Sequence, residues 1–116
     1  MNTEIEKAKK EVFHWMLEYI LDDNTPPYTK KDVDEFDSIV TKFINEVSVS
    51  NERTSIIWIT DKIKQLTINL NDFNEKHDHS IIETDQREGI CELIDQILIS
   101  CGHEIEEDIT EEWREW

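Results

Sequence analysis

The sequence predicts an all-α protein, a compact bundle of four main helices followed by a short C-terminal helix. Apolar residues recur at spacings of three and four along most of the chain, which is typical of helices with one buried face. Only two glycines and two prolines interrupt the 116 residues, so long helices with few turns are expected. No stretch alternates cleanly enough to indicate a strand. We therefore expect a single helical domain over residues 1–116.

The first predicted helix runs from about Thr3 to Leu21, and the second begins near Thr29, whose hydroxyl can cap it. Pro26 and Pro27 end the first helix, because proline lacks an amide donor and restricts the residue before it. Each helix carries an apolar stripe at helical spacing. The two stripes are Ile5, Ala8, Val12, Met16, Tyr19 and Ile20, and Val33, Phe36, Val40, Phe43 and Val47.

The third predicted helix has the clearest pattern, a heptad seam whose apolar residues step alternately by three and four. Ile57, Trp58 and Ile68 widen this apolar surface, so we expect the helix to lie centrally and to touch more than one neighbour. A polar stretch over residues 74–79 ends it. The seam consists of Ile56, Ile59, Ile63, Leu66, Leu70 and Phe73.

The fourth predicted helix begins at Ser80, because Ser80-Ile81-Ile82-Glu83 has the S-x-x-E form of a capping box, and it ends at Gly102. Gly89 inside it costs up to about 1 kcal/mol relative to alanine, which indicates a close helix crossing or a later start. The apolar face of this helix comprises Ile90, Leu93, Ile94, Ile97, Leu98 and Cys101.

A short terminal helix is expected after Gly102. Ile105, Ile109, Trp113 and Trp116 keep helical spacing, and Asp108 is available as the cap. This helix should dock on the bundle.

The charge is strongly acidic and unevenly distributed. The formal net charge is −16, and residues 75–116 alone hold fourteen acidic and three basic residues. Such a balance keeps a protein soluble, and it also favours a positively charged partner. Direct binding of nucleic acid is disfavoured, because phosphates would be repelled.

Four acidic residues of the fourth helix step by three, four and three, which places them on one helix face. Like charges at these spacings cost a few tenths of a kcal/mol per pair, so the array is unfavourable unless something offsets it. Two interpretations are open, a solvated face and a docking surface for a basic protein. The acidic stripe consists of Asp85, Glu88, Glu92 and Asp95.

The C-terminal residues supply further candidate contacts. Glu111 and Glu112 belong to an acidic run that can extend the stripe into a continuous patch. Trp113 and Trp116 stand among these glutamates, and aromatic residues are favoured anchors in interfaces. The alternative is that both rings fix the C-terminus to the core.

No pattern names a reaction, so we predict no catalytic residue, no metal ligands and no cofactor. His77 with His79, and Cys101 with His103, match no recurring zinc spacing. Walker loops, G-x-S-x-G elbows and dinucleotide fingerprints are absent from the sequence. Cys91 and Cys101 would lie about 15 Å apart in one helix, too far for a disulfide, and are interpreted as reduced thiols.

The N-terminus lacks the basic and then apolar run of a signal peptide, and no apolar segment has the length of a membrane span. We therefore expect a cytoplasmic protein without a membrane partner.

From Trp58 to the C-terminus the chain resembles a family of small bacterial proteins of unknown function. The resemblance is strongest over Ile82-Glu83-Thr84-Asp85-Gln86-Arg87-Glu88 and Glu107-Asp108-Ile109-Thr110-Glu111-Glu112-Trp113. It implies no catalytic residue. In size, acidity and helical character the chain is also similar to immunity proteins that neutralise bacterial nuclease toxins.

These observations predict a non-catalytic acidic binding protein, most concretely an immunity protein or inhibitor of a basic toxin or nuclease. Steering by charge would speed association with such a partner, and aromatic anchors would set the lifetime of the complex. Two alternatives stay open, a DNA-mimic inhibitor of a DNA-binding protein and a small metal-dependent helical hydrolase. The sequence does not indicate the oligomeric state.

Overall fold

The computed structural model describes residues 3–22 and 28–116, which form four α-helices and no strand. The helices are α1 (Thr3–Asp22), α2 (Lys30–Val49), α3 (Ile56–Lys76) and α4 (Thr84–Ser100). The predicted all-α bundle is confirmed. Within the described residues, no helix has an apolar stretch of membrane-spanning length. The two prolines expected to end α1 lie outside the described residues.

The core is built from the predicted apolar stripes. The whole stripe of α2 is buried, and Thr29 caps this helix in a capping box with Asp32. On α1 the stripe is buried as far as Met16, whereas Tyr19 is 40% exposed and stacks on Tyr28 with ring centroids 5.8 Å apart. The Tyr28 hydroxyl donates to the Met16 carbonyl at 3.2 Å, so it links the segment before α2 to α1. Burial, with Tyr19 and Glu83 nearby, raises the pKa of Tyr28 to about 12.

The structure does not place α3 at the centre of the bundle, where the sequence predicted it. Its seam is buried from Ile59 to Phe73, but Ile57 is 82% exposed and Ile56 and Ile68 are more than 40% exposed. α4 packs most closely on α1, α1 also contacts α2, and α2 contacts α3. The helices with two extensive helix contacts are therefore α1 and α2. α3 therefore has one extensively packed helix neighbour, and Ile57 and Ile68 beside its seam are exposed.

The start of α4 differs from the prediction. Glu83, not Ser80, is the N-cap, and the capping box pairs it with Gln86, whose side-chain oxygen accepts from the Glu83 amide at 3.1 Å. The amides of residues 81 and 82 donate to the Asn74 side chain at 3.2 and 3.0 Å. Asn74 is buried at the end of α3, so it holds these two residues outside the helix and delays the start of α4.

The end of α4 is as predicted. Gly102 has φ +88°, the left-handed conformation that glycine adopts without strain. Its amide donates to the Ile99 carbonyl at 3.0 Å, and the His103 amide donates to the Leu98 carbonyl at 2.9 Å. These two bonds form a Schellman motif, which satisfies carbonyls that the helix leaves unpaired.

The predicted C-terminal helix is replaced by turns over residues 109–113. Asp108 accepts hydrogen bonds from the Thr110 amide at 2.9 Å and from Arg114 at 2.8 Å, so it caps a turn rather than a helix. Asn71 of α3 donates to the Trp113 carbonyl at 2.8 Å and accepts from the Glu115 amide at 3.0 Å. A helix would use that amide internally, so the side chain of Asn71 competes directly with helix formation.

Candidate functional site

α1 and α4 approach each other closely at Gly89. A β-carbon at this position would lie 2.6 Å from Cγ2 of Val12, closer than packed side chains allow. α4 begins at Thr84, so Gly89 lies inside the helix and a later helix start does not explain it. The close helix crossing does. The missing side chain lets the two helix backbones approach.

A groove runs beside this crossing, and we call it the acidic groove. α1 contributes two of its lining residues and α4 contributes four. Trp15, which is 50% exposed, is its one aromatic lining residue, and none of the described lining residues is basic. Carboxylates surround an aromatic ring in this arrangement, a combination suited to a cationic side chain. The groove is lined by Glu11, Trp15, Asp85, Glu88, Gly89 and Glu92.

Three of the four residues of the predicted acidic stripe meet in the groove, and the fourth lies beyond it. Asp95 is one turn further along α4 and is half-buried. Burial raises its pKa, and the charges of Glu92 and Asp108 raise it further. Asp95 is therefore within electrostatic reach of Glu92 in the groove and of Asp108 in the C-terminal turn.

The C-terminal turn has its own charge pattern. Burial works to raise the pKa of Asp108, but hydrogen bonds from Thr110 and Arg114 outweigh it and the pKa is lowered. Glu111 and Glu112 are exposed on the same turn and do not line the groove. They add exposed negative charge to the C-terminal turn, outside the groove.

The two C-terminal tryptophans have different surroundings. Trp116 is 9% exposed and packs with the core, and Arg114 lies over its ring at 5.6 Å from the centroid. Trp113 is half-buried, and Lys64 lies 5.8 Å from its ring centroid. Trp116 therefore fixes the C-terminus to the bundle, which was one of its two predicted roles. Trp113 keeps part of its ring accessible.

Sequence reasoning missed the contribution of α1. Glu11 and Trp15 are four residues apart and lie beside the buried stripe of that helix, so their shared face was visible in the sequence. Nothing in the sequence indicated that this face would lie against Gly89 and the acidic stripe. That proximity follows from the tertiary packing of α1 on α4.

The described residues include one set that could hold a metal ion, Asp32, Glu35 and His77, at the contact of α2 and α3. The thiols of Cys91 and Cys101 are free. Burial, followed by the charge of Asp108, raises the pKa of Cys91, so its reactive thiolate form is disfavoured.

Comparison of the chain with protein-family models, with curated proteins and with solved structures finds no match. The resemblance to a small bacterial family and the likeness to immunity proteins stay predictions.

Proposed function

We propose that the protein is a non-catalytic binding protein that holds a basic protein partner in the acidic groove, acting as an immunity protein or inhibitor of a basic toxin or nuclease. The observation that carries this proposal is the half-exposed ring of Trp15 among the carboxylates of Glu11, Glu88 and Glu92. An arginine of the partner could stack on the ring and pair with a carboxylate at the same time.

The energetics of the free protein support a partner. The stripe places like charges at helical spacing, and Asp95 already has a raised pKa, chiefly from burial and then from the neighbouring charge of Glu92. A cation in the groove would reduce the repulsion among these carboxylates. Long-range attraction from a chain of net charge −16 would also speed the encounter with a basic protein.

The dimensions favour a protein target over the DNA-mimic alternative. From Asp85 to Asp95 the stripe advances by ten residue steps, about 15 Å along the helix at 1.5 Å per step. That length corresponds to only about four base pairs at 3.4 Å per step. A DNA mimic needs a longer array of carboxylates. A single arginine-bearing loop or helix of a partner protein fits the groove.

The lining of the groove also argues against the hydrolase alternative. It offers carboxylates and an indole, but no histidine, lysine, serine or cysteine among its described lining residues. No side-chain nucleophile is therefore available there, and the described set that could hold a metal ion to activate water, Asp32, Glu35 and His77, lies outside the groove. Recognition, rather than bond cleavage, is the chemistry that these side chains support.

The experiment starts from a basic protein recovered on the immobilised chain and then purified. Association is measured across a salt series for the wild type and for a groove variant, Glu88→Lys with Glu92→Lys. Lysine is as good a helix former as glutamate, so α4 should stay intact. We expect the on-rate at low salt to fall by at least about tenfold in the groove variant, and its salt dependence to weaken.

The matched control is Glu104→Lys with Glu106→Lys, which changes the net charge equally at residues outside the groove. Its on-rate should fall much less. If both double variants slow association to the same extent, net charge alone explains the effect and the groove is not the docking site. Wild-type association that is indifferent to salt would contradict the steering argument.

A further inference from the structure

A second cluster of chemically active side chains lies at the contact of α2 and α3, away from the acidic groove. Asp32 and Glu35 stand near the start of α2, and His77 is the C-cap of α3. One potential ligand atom from each residue lies within 4.8 Å of the other two. The His77 Nε2 atom is 3.7 Å from Asp32 Oδ1, beyond hydrogen-bonding distance.

The imidazole of His77 is positioned but not satisfied. Its side chain is 15% exposed, and its Nε2 atom is buried without a hydrogen-bond partner in the described part of the chain. Phe73, one turn earlier on α3, contacts the ring edge to face with centroids 5.0 Å apart. Buried polar atoms are usually paired, so this nitrogen, which faces carboxylates and has no protein partner among the described residues, is available to a ligand.

Hydrogen bonds fix the orientation of the Asp32 carboxylate. Its Oδ2 atom accepts from the Thr29 amide at 2.9 Å and from the Thr29 hydroxyl at 3.2 Å, as part of the capping box of α2. This use of Oδ2 leaves Oδ1 facing His77. Hydrogen bonds of this kind commonly fix a metal-ligating carboxylate from its far side.

We propose that Asp32, Glu35 and His77 form a binding site for a divalent transition-metal ion, with Zn²⁺ as the reference ion. One imidazole nitrogen and two carboxylates form a mixed ligand set that suits zinc and its neighbours better than Ca²⁺ or Mg²⁺. Bonds of about 2.1 Å in a tetrahedral site separate the ligand atoms by about 3.4 Å. The observed spacing, up to 4.8 Å, is wider, so the side chains would turn inward on binding and water would complete the coordination.

Lys76 is the competitor for this site. Its ammonium group lies 2.9 Å from Glu35 Oε1, in an ion pair whose side chains are 60% and 42% exposed. Exposed pairs of this kind contribute about 0–1 kcal/mol, so a divalent ion can displace the lysine or use the other oxygen of Glu35. The two carboxylates balance the charge of the ion. The bound metal would link the start of α2 to the end of α3.

The test is calorimetric titration of the intact chain with ZnCl₂ at neutral pH. We expect saturable binding of one ion per chain in the wild type. His77→Ala and Glu35→Gln should each weaken it by at least about tenfold. Two matched controls change neighbouring residues outside the cluster, His79→Ala and Asp34→Asn, and should stay within about twofold of the wild type. If His77→Ala folds poorly, the affinity of Glu35→Gln for Zn²⁺ decides the outcome.

A second measurement locates the ion directly. Zn²⁺ should shift the ring resonances of His77 before those of His79 or His103, and Co²⁺ should give visible absorption bands that His77→Ala abolishes. Absence of saturable binding up to about 1 mM Zn²⁺ overturns the proposal. So does binding that the controls weaken as much as the cluster variants do. The groove variant should bind zinc normally, so this proposal and the proposed function can fail separately.

Discussion

The close crossing of α1 and α4 at Gly89 predicts that a methyl group added there destabilises the protein. In Gly89→Ala the new methyl group would lie 2.6 Å from Val12 Cγ2, and Val12 is only 1% exposed. Alanine gains about 1 kcal/mol over glycine inside a helix. Forcing a methyl into a filled core costs about 1–3 kcal/mol, and valine in a helix has little freedom to turn its methyl away. We expect a net destabilisation of about 1 kcal/mol.

The companion substitution Val12→Ala removes the clashing methyl group. Alone it should cost about 2–3 kcal/mol, since two buried methyls are lost and a cavity remains. In that background Gly89→Ala no longer clashes and fills part of the cavity, so it should stabilise by about 1 kcal/mol. The change of sign corresponds to a coupling energy of about 2 kcal/mol between the two sites.

Urea denaturation of the wild type, both single variants and the double variant, followed by circular dichroism, measures this coupling. The midpoints can be compared if the slopes are alike. Two substitutions that add to within about 0.5 kcal/mol would refute the reasoning, because independent sites behave in that way. A Gly89→Ala variant more stable than the wild type would show that the helices separate at little cost.

The remaining predictions concern the C-terminal segment and its charges. In chemical denaturation, Trp116→Ala should lower the free energy of unfolding by about 3 kcal/mol and Trp113→Ala by about 1 kcal/mol or less. Trp116 is buried, whereas Trp113 is only partly buried. Asn71→Ala should cost about 2 kcal/mol and make Trp113 fluorescence more accessible to a quencher, since the backbone of that segment loses two hydrogen bonds. Asp95→Asn and Asp108→Asn should change the melting temperature at pH 7 in opposite directions. The raised pKa of Asp95 means that its ionisation costs stability as pH rises through that pKa, so Asp95→Asn should stabilise at pH 7 and have less effect below about pH 4. The lowered pKa of Asp108 contributes stability above its unfolded value, so Asp108→Asn should destabilise at pH 7, with a difference that fades as pH falls through the lowered pKa.

Helix periodicity was sufficient to predict the bundle. The stripes of α2 and α4 and most of the seam of α3 are buried as their spacing indicated, because one helix face must leave water for the helix to dock. Gly102 could also be predicted as a helix end, since its role depends only on local backbone geometry.

The errors occur where a distant side chain takes over a local backbone group. Asn74 accepts from the amides of residues 81 and 82 and so keeps these residues outside α4, and Asn71 withdraws the Glu115 amide from a terminal helix. Both asparagines are buried on α3. Asn74 is seven and eight residues from its two partners, and Asn71 is 44 residues from Glu115. Neither asparagine belongs to the segment whose boundary it sets, so local sequence rules do not include it and both boundaries required the tertiary structure.

The two candidate sites also differ in how much of each the sequence alone could predict. The acidic stripe lies within one helix and was visible as a spacing, whereas Trp15 joins it only because Gly89 allows α1 to approach α4. The ligands around His77 come from two helices and share no motif, so no spacing rule could indicate them. The two sites also lie at different helix contacts, the groove at α1 with α4 and the cluster at α2 with α3. A ligand at one is therefore held by side chains that the other does not use, and each can be altered while the second serves as an internal control on folding.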